Sequence, residues 1–403
     1  MKCSALLENK TTHIWEEQTM ILKNALIYDE NFEPLRADLE ITGDIIGRIA
    51  SVLTGKLEID LTGCTVVPGF VDIHIHGCAG ADICDGKRES VAHMAEYLVQ
   101  QGITSFCPTT MTVPKNRLRA ALSAVKNSME DPPRGSFVLG VNMEGPYISV
   151  HRKGAQPAAD ICKPDIEEFE TLFKECGGII KIVDIAPEND ETGEFVSRAS
   201  KLCRVSLAHS DADYEQAKAS FQQGISLVTH LFNAMTGFQH RDPGAVGAVF
   251  DDDRVKAEII CDGFHVHPAA LRTAFRLLGE DRTIVVSDSF RATGLPEGVF
   301  NLGSGQAVYI EKGKARLADG TLAGSTTNLY QEFRNLIEFG IPMRQALKSV
   351  TINPAIQVGE DKKIGSIRTG KWADLVVLDN KLEIVMVIAH GSILFDPFSR
   401  SEI

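Results

Sequence analysis

No stretch of this sequence approaches the ~20 consecutive apolar residues of a membrane-spanning helix, so no such helix is predicted. CxxC pairs are missing too. The nine cysteines are scattered, which predicts reduced thiols and a cytoplasmic setting. Cys78 lies close to two histidines, but it is read as packing filler. Positive charge is in deficit: 41 lysines and arginines against 54 acidic residues leave a formal charge of −13. That balance argues against nucleic acid or an anionic membrane as partner, and a small anionic substrate would need local donors. There are no internal repeats and no low-complexity tracts. Met1 leads into a polar stretch through Gln18 with no apolar core, so it does not read as a secretory signal. Residues 1–19 are expected to be an extension that the fold does not need.

What is present is an alternation of short apolar runs with amphipathic segments. Candidate strands are Cys64–His76, Ile103–Pro108, Phe137–Met143, Ile179–Ile185, Cys203–Ala208, Gly224–Thr229, Ala257–Cys261 and Thr283–Ser287. Helical segments such as Lys87–Gln101, Pro114–Met129 and Asp211–Gln222 lie between them. Strands separated by helices point to a parallel sheet, and eight strands close a (β/α)8 barrel, assigned to residues 66–359. Residues 20–65 and 360–403 read as short strands and turns. They are expected to meet as a small β-sandwich domain built from both chain ends.

The first barrel strand ends in Asp72-Ile73-His74-Ile75-His76-Gly77. Alternation would put Phe70, Asp72, His74 and His76 on one face, where two imidazoles can grip a metal ion. A strand with two solvent-facing histidines is the plainer reading. Glu144, His209, His230 and Asp288 also follow apolar strands, where a barrel of this kind gathers its chemistry at one mouth. Singly, each is explained as a polar cap on a strand leaving the core. Together, they form a nitrogen and carboxylate set suited to a divalent ion such as Zn²⁺, Fe²⁺ or Mn²⁺. Hydrolysis assisted by such an ion still needs a group to take and return protons, a task assigned to Asp288, with a purely metal-binding role as the competitor.

Longer motifs narrow the reading. Met143-Glu144-Gly145-Pro146-Tyr147, Lys153-Gly154-Ala155-Gln156-Pro157, Thr229-His230-Leu231-Phe232-Asn233-Ala234-Met235, Cys261-Asp262-Gly263-Phe264-His265-Val266 and Leu322-Ala323-Gly324-Ser325 closely resemble the N-acetylglucosamine-6-phosphate deacetylases of the amidohydrolase superfamily. The resemblance runs from about Met20 to the end of the chain. It implies that Glu144, His209 and His230 hold the main metal and that Asp288 is general base and then acid. It implies that Asn233, the Ala234 N–H and Arg241 receive a substrate phosphate and that His265 contacts the sugar or its phosphate. Ala155 and Gln156 would join the substrate site, and Leu322, Ala323 and Gly324 would line its acetyl end. A homodimer is expected, because in such proteins the arginine reaches the neighbour's site.

Two positions depart from the family pattern. Gln156 stands where some relatives have a histidine that polarises the acetyl carbonyl, and an amide cannot carry positive charge. His74 and His76 permit a second ion bridged by Glu144, so one or two divalent ions are expected per chain. Without the family, Arg241 could pair with Asp242, either His265 or His267 could be an exposed loop histidine, and Arg152 and Lys153 read as a solvated turn. The implied reaction is removal of acetate from N-acetylglucosamine 6-phosphate. The alternatives are an N-acetylgalactosamine 6-phosphate deacetylase, a cyclic amide hydrolase such as a dihydroorotase, or a non-catalytic oligomeric scaffold.

Overall fold

The computed structural model describes residues 19–397. Most of the expected extension at residues 1–19 lies outside the described residues, as do the last residues of the chain.

Eight parallel strands form the barrel: Phe70–Ile75, Ile103–Thr110, Val141–Met143, Ile180–Ile185, Arg204–Leu207, Leu227–Val228, Lys256–Ile259 and Thr283–Val285. The ring is drawn shut where the Asp288 N–H donates to the His74 carbonyl and the His76 N–H donates to the Ser289 carbonyl, both at 2.9 Å. Helices Arg88–Gln100, Lys115–Glu130, Ile166–Glu175, Tyr214–Gln223 and Pro268–Arg282 follow the first, second, third, fifth and seventh of these strands. They cover one face of each strand with residues such as Val91, Leu122, Phe169 and Phe275. A separate cluster of Val71, Ile73, Cys107, Ile182, Leu227 and Ile284 fills the lower interior, capped below by Ala355, Val358 and Ile364. Apolar filling below therefore leaves the upper end for polar side chains.

The strand expected over Cys64–His76 is two strands. Thr65–Pro68 pairs antiparallel with Leu375–Leu378, and the barrel strand starts only at Phe70. Gly69 makes the join, its N–H donating to the Asp374 carbonyl at 2.8 Å. A Cβ there would lie 2.1 Å from Thr104 Oγ1, so only glycine fits. The expected shared face of this strand also breaks. Phe70 packs outward on Phe333 and Tyr330, while Val71 and Ile73 join the interior cluster. The strand's pairing shifts register between Phe70 and Val71 and again between Asp72 and Ile75, where side-chain oxygens of Asp72 and Thr109 accept the His74 and Ile75 N–H groups. His74, within the second shift, and His76, beyond it, both turn toward Asp288.

Both chain ends enter one sheet, ordered Ser392–Phe395, Ile384–Ala389, Leu375–Leu378, Thr65–Pro68, Thr19–Tyr28, Pro34–Thr42, Ile45–Ala50, with Leu57–Asp60 also on Thr19–Tyr28. Its central strand Leu375–Leu378 buries both faces. Leu375 and Val377 pack with Leu22, Ile27 and Leu39 in the sheet's own core, while Val376 and Leu378 pack into the barrel core. An element the sequence reading does not contain follows the eighth barrel strand. It is a three-stranded antiparallel sheet of Val299–Asn301, Ala307–Glu311 and Lys314–Arg316. It leads into the segment Thr321–Ser325, which returns to the barrel: the Ser325 N–H donates to the Asp288 carbonyl at 2.8 Å.

Candidate active site

A pocket of about 330 Å³ opens at the mouth of the barrel. His76, Glu144, His209, His230 and Asp288 line it, and His74 sits fully buried beneath them. The chain delivers three of these side chains by leaving a strand in the left-handed conformation, with φ of +45° at His209, +31° at His230 and +46° at Asp288. For non-glycine residues that conformation costs on the order of 1–3 kcal/mol each and persists only where the surroundings impose it.

Two groups result. Glu144 Oε1 lies 3.0 Å from His209 Nε2 and 3.2 Å from His230 Nε2. Asp288 Oδ1 lies 3.2 Å from His76 Nε2 and 3.6 Å from His74 Nε2. Glu144 links the groups, with Oε2 at 3.4 Å from His76 Nε2 and Oε1 at 3.6 Å from His74 Nε2. Each group gathers its ligand-capable atoms within 4.8 Å.

The far side of each ring decides which nitrogen faces the pocket. His209 Nδ1–H donates to the Arg152 carbonyl at 2.8 Å, and His76 Nδ1–H donates to the Thr109 carbonyl at 2.9 Å. A carbonyl only accepts, so the proton sits on Nδ1 and a neutral ring turns its Nε2 lone pair inward. His74 Nδ1 lies 2.9 Å from the buried Glu258 carboxyl, and its buried Nε2 has no hydrogen-bond partner among the described residues. Charge points the same way. Burial alone would raise the Glu144 carboxyl, but His209 and His230 hold it well below the usual carboxylate range. Burial likewise opposes ionisation of Asp288, and His76 outweighs it. The same carboxylates push His76 up to about 9 against its own burial. Ionised carboxylates and converging imidazoles make a site that demands positive charge, and a divalent cation fits both the donors and the demand.

Gln156 is buried, with both ends of its amide engaged. Its Nε2 donates to Glu144 Oε2, and its Oε1 accepts the Thr112 N–H at 2.9 Å. Asn233, Ala234, His265, Leu322, Gly324 and Ala155 line the pocket. Ala323 is fully buried and its N–H donates to the Ala315 carbonyl. Gly324 has φ of +66°, and a Cβ on it would come 3.1 Å from the Asp288 carbonyl. His265 Nδ1 pairs with Asp262 Oδ2 at 2.7 Å, whereas the His267 ring caps the helix Pro268–Arg282 by accepting the Ala269 N–H. Arg241 is exposed and lies outside the pocket lining.

Residues 65–394 match the model of the amidohydrolase family. This chain belongs to that family. Among curated relatives of this amidohydrolase, the N-acetylglucosamine-6-phosphate deacetylase of Bacillus subtilis is 36% identical over 390 residues, covering 94% of this chain and 98% of that protein. The N-acetylgalactosamine-6-phosphate deacetylase of Escherichia coli O157:H7 is 31% identical, covering 95% and 99%. The crystal structure of the N-acetylglucosamine-6-phosphate deacetylase of Pasteurella multocida superimposes with a TM-score of 0.88 at 30% identity, covering 93% of this chain and 99% of that one.

Sequence reading of the amidohydrolase leaves out part of the pocket wall. Met111, His151, Arg152, Phe290, Leu302 and Thr321 also line it. Arg152, read as a solvated turn, pairs with Asp211 at 2.7 Å and lends its carbonyl to His209. The signal available was proximity to Glu144 in the chain. Leu302 and Thr321 carry no such signal, because they arrive with the unanticipated three-stranded sheet.

Proposed function

We propose that this amidohydrolase is a metal-dependent deacetylase that hydrolyses N-acetyl-D-glucosamine 6-phosphate to D-glucosamine 6-phosphate and acetate. The observation that carries the reading is the convergence of five imidazole or carboxylate side chains on one pocket that also holds Asn233, Ala234 and His265. The names of the Bacillus and Pasteurella relatives support the substrate. Glu144, His209 and His230 would hold one divalent ion, with His74 and His76 able to take part in a second, and zinc, iron or manganese each suits the donors. When bound, such an ion polarises the acetyl carbonyl and acidifies water.

The chain's own groups do the rest. Asp288, ionised at neutral pH, accepts the proton of the attacking water and passes it to the departing amine nitrogen, which otherwise leaves as a poor amide anion. Gln156, held by Thr112 on one side and Glu144 on the other, orients that carboxylate. On the phosphate side, Asn233, the Ala234 N–H and His265, whose hold on a proton Asp262 strengthens against burial, are the donors within the chain. Arg241 is exposed and outside the pocket, which supports a homodimer in which a second copy supplies it. A cytoplasmic setting belongs to the same reading, supported by the eight free cysteines among the described residues.

The test is acetate release from N-acetylglucosamine 6-phosphate, its galactosamine epimer and unphosphorylated N-acetylglucosamine. Arg241→Ala should cost about 2–4 kcal/mol on the phosphorylated substrate, roughly 30- to 1,000-fold in kcat/KM, and barely change the unphosphorylated one. Equal losses on both would remove the phosphate role from Arg241. Faster turnover of the galactosamine epimer would favour the activity named for the Escherichia coli relative.

A further inference from the structure

At the opposite end of the barrel from the mouth, a groove of about 360 Å³ is lined by Gly178, Lys181, Ser200, Lys201, Arg204 and Gln357, among others. Its charge runs against that of the chain. Lys181 is matched by Glu360 at 3.1 Å, a carboxylate shared with Lys363 at 3.0 Å. Arg204 has no such match among the described residues. It opens the strand Arg204–Leu207, half-buried, and its Nη1 donates to Ser226 Oγ at 3.0 Å. Its Nε is buried with no hydrogen-bond partner among the described residues.

The neighbouring strand start adds another cation. Lys256, also half-buried, donates its N–H to the Ser226 carbonyl, and Asp281 nearby is engaged by Lys348 instead. Burial lowers the pKa of both Arg204 and Lys256, so each loses hydration without gaining a carboxylate contact. Lys201 stands exposed at the rim. A half-buried guanidinium whose counter-charge is missing, on a chain of net charge −13, is costly unless an anion completes it.

We propose that this groove binds a phosphate group, with the Arg204 guanidinium and the Lys201 ammonium as its charged donors. A planar fork of N–H groups beside a mobile ammonium matches a tetrahedral oxyanion. The groove exceeds what a bare phosphate fills, which leaves room for the organic part of a phosphomonoester. The site shares no lining residue with the mouth, and the inference does not depend on the proposed deacetylase activity.

Lysine acetylation footprinting on the full chain, read by mass spectrometry, separates this groove from the catalytic pocket. Inorganic phosphate and glucose 6-phosphate are titrated separately at low ionic strength, with exposed Lys312 as the reference. Lys201 should become protected while Lys312 does not, and Arg204→Gln should shift half-protection to at least about 10-fold higher ligand. Lys256→Gln should shift it less, and it carries the test if Arg204→Gln fails to fold. Protection by glucose 6-phosphate at far lower concentration than phosphate identifies a phosphomonoester site, and equal potency identifies a free-phosphate site. Lys201 labelling unchanged by either ligand overturns the proposal, as does protection that a folded Arg204→Gln variant retains in full.

Discussion

The two metal-capable groups reach the same pocket by different routes. Glu144, His209 and His230 come from three strands, and both histidines sit at left-handed exits. His74 and His76 come from one strand in extended backbone, completed by Asp288 from the strand that closes the ring. The first group draws on the third, fifth and sixth strands, away from the seam, and on two strained exits that the surroundings impose. The second rests on local alternation, a buried carboxyl behind His74 and one side chain from across the seam, itself at a left-handed exit. The first is therefore read as the tighter site and the second as the adjustable one.

The sharpest way to break that comparison is to remove ligands from each group. His209→Ala or His230→Ala should strip the main ion and abolish turnover, because too few donors remain to compete with water. His74→Ala combined with His76→Ala should lower only the second equivalent or its affinity. Elemental analysis after gel filtration reads both, and a His209→Ala variant with full metal and normal rate would reverse the ranking. Next in size is Asp288→Asn, which keeps the shape and removes the proton carrier. Turnover should fall roughly 10²- to 10⁴-fold with metal content little changed. Loss of metal instead would make Asp288 chiefly a ligand.

Behind His74, Glu258→Gln weakens the partner that orients the ring. Affinity at the His74 group should drop about 10- to 100-fold, measured by competition with a chelator, with the Glu144 group unaffected. A uniform loss from both groups would mean that Glu258 supports the barrel as a whole. The smallest effect concerns the pair Asp262–His265, which lies outside both groups. Burial opposes both charges, but the contact wins, lowering the carboxyl and raising the imidazole. The stability it adds through His265 is fully present below the unfolded imidazole pKa of about 6.5 and is lost as pH rises through the raised folded value. Through Asp262 it is present above about 3.9 and is lost as pH falls through the lowered value. KM for a phosphorylated substrate should rise with pH through the His265 titration, and Asp262→Asn should move that rise to lower pH by a few-fold effect near neutrality. An unshifted profile would take His265 out of phosphate binding.

The barrel is legible in the sequence because each strand is a short apolar run with a helix behind it. The metal-capable residues are legible because they interrupt those runs at the same end. Local pairing is not. Nothing in Cys64–His76 says that Pro68 and Phe70 belong to different sheets, since that depends on Leu375–Leu378 arriving from the far end of the chain. The register shift near Asp72 is equally hidden, because side-chain oxygens replace ladder carbonyls there. The sheet at Val299–Arg316 has strands of three to five residues, too short for alternation to stand out. Gln156 is visible as a departure, but its two hydrogen-bond partners emerge only in three dimensions.

The pairing of Val67 with Val376 has a consequence for how the protein is made. Residues at nearly opposite ends of the chain must meet before the sheet is whole, and loop closure over such a span makes that contact late and slow. A ribosome-bound chain that has already displayed all eight barrel strands still leaves Leu22, Ile27 and Leu39 without Leu375 and Val377 to cover them. During synthesis the edge of Thr65–Pro68 stays open until the final segment emerges, so this strand is where nascent copies would meet one another first.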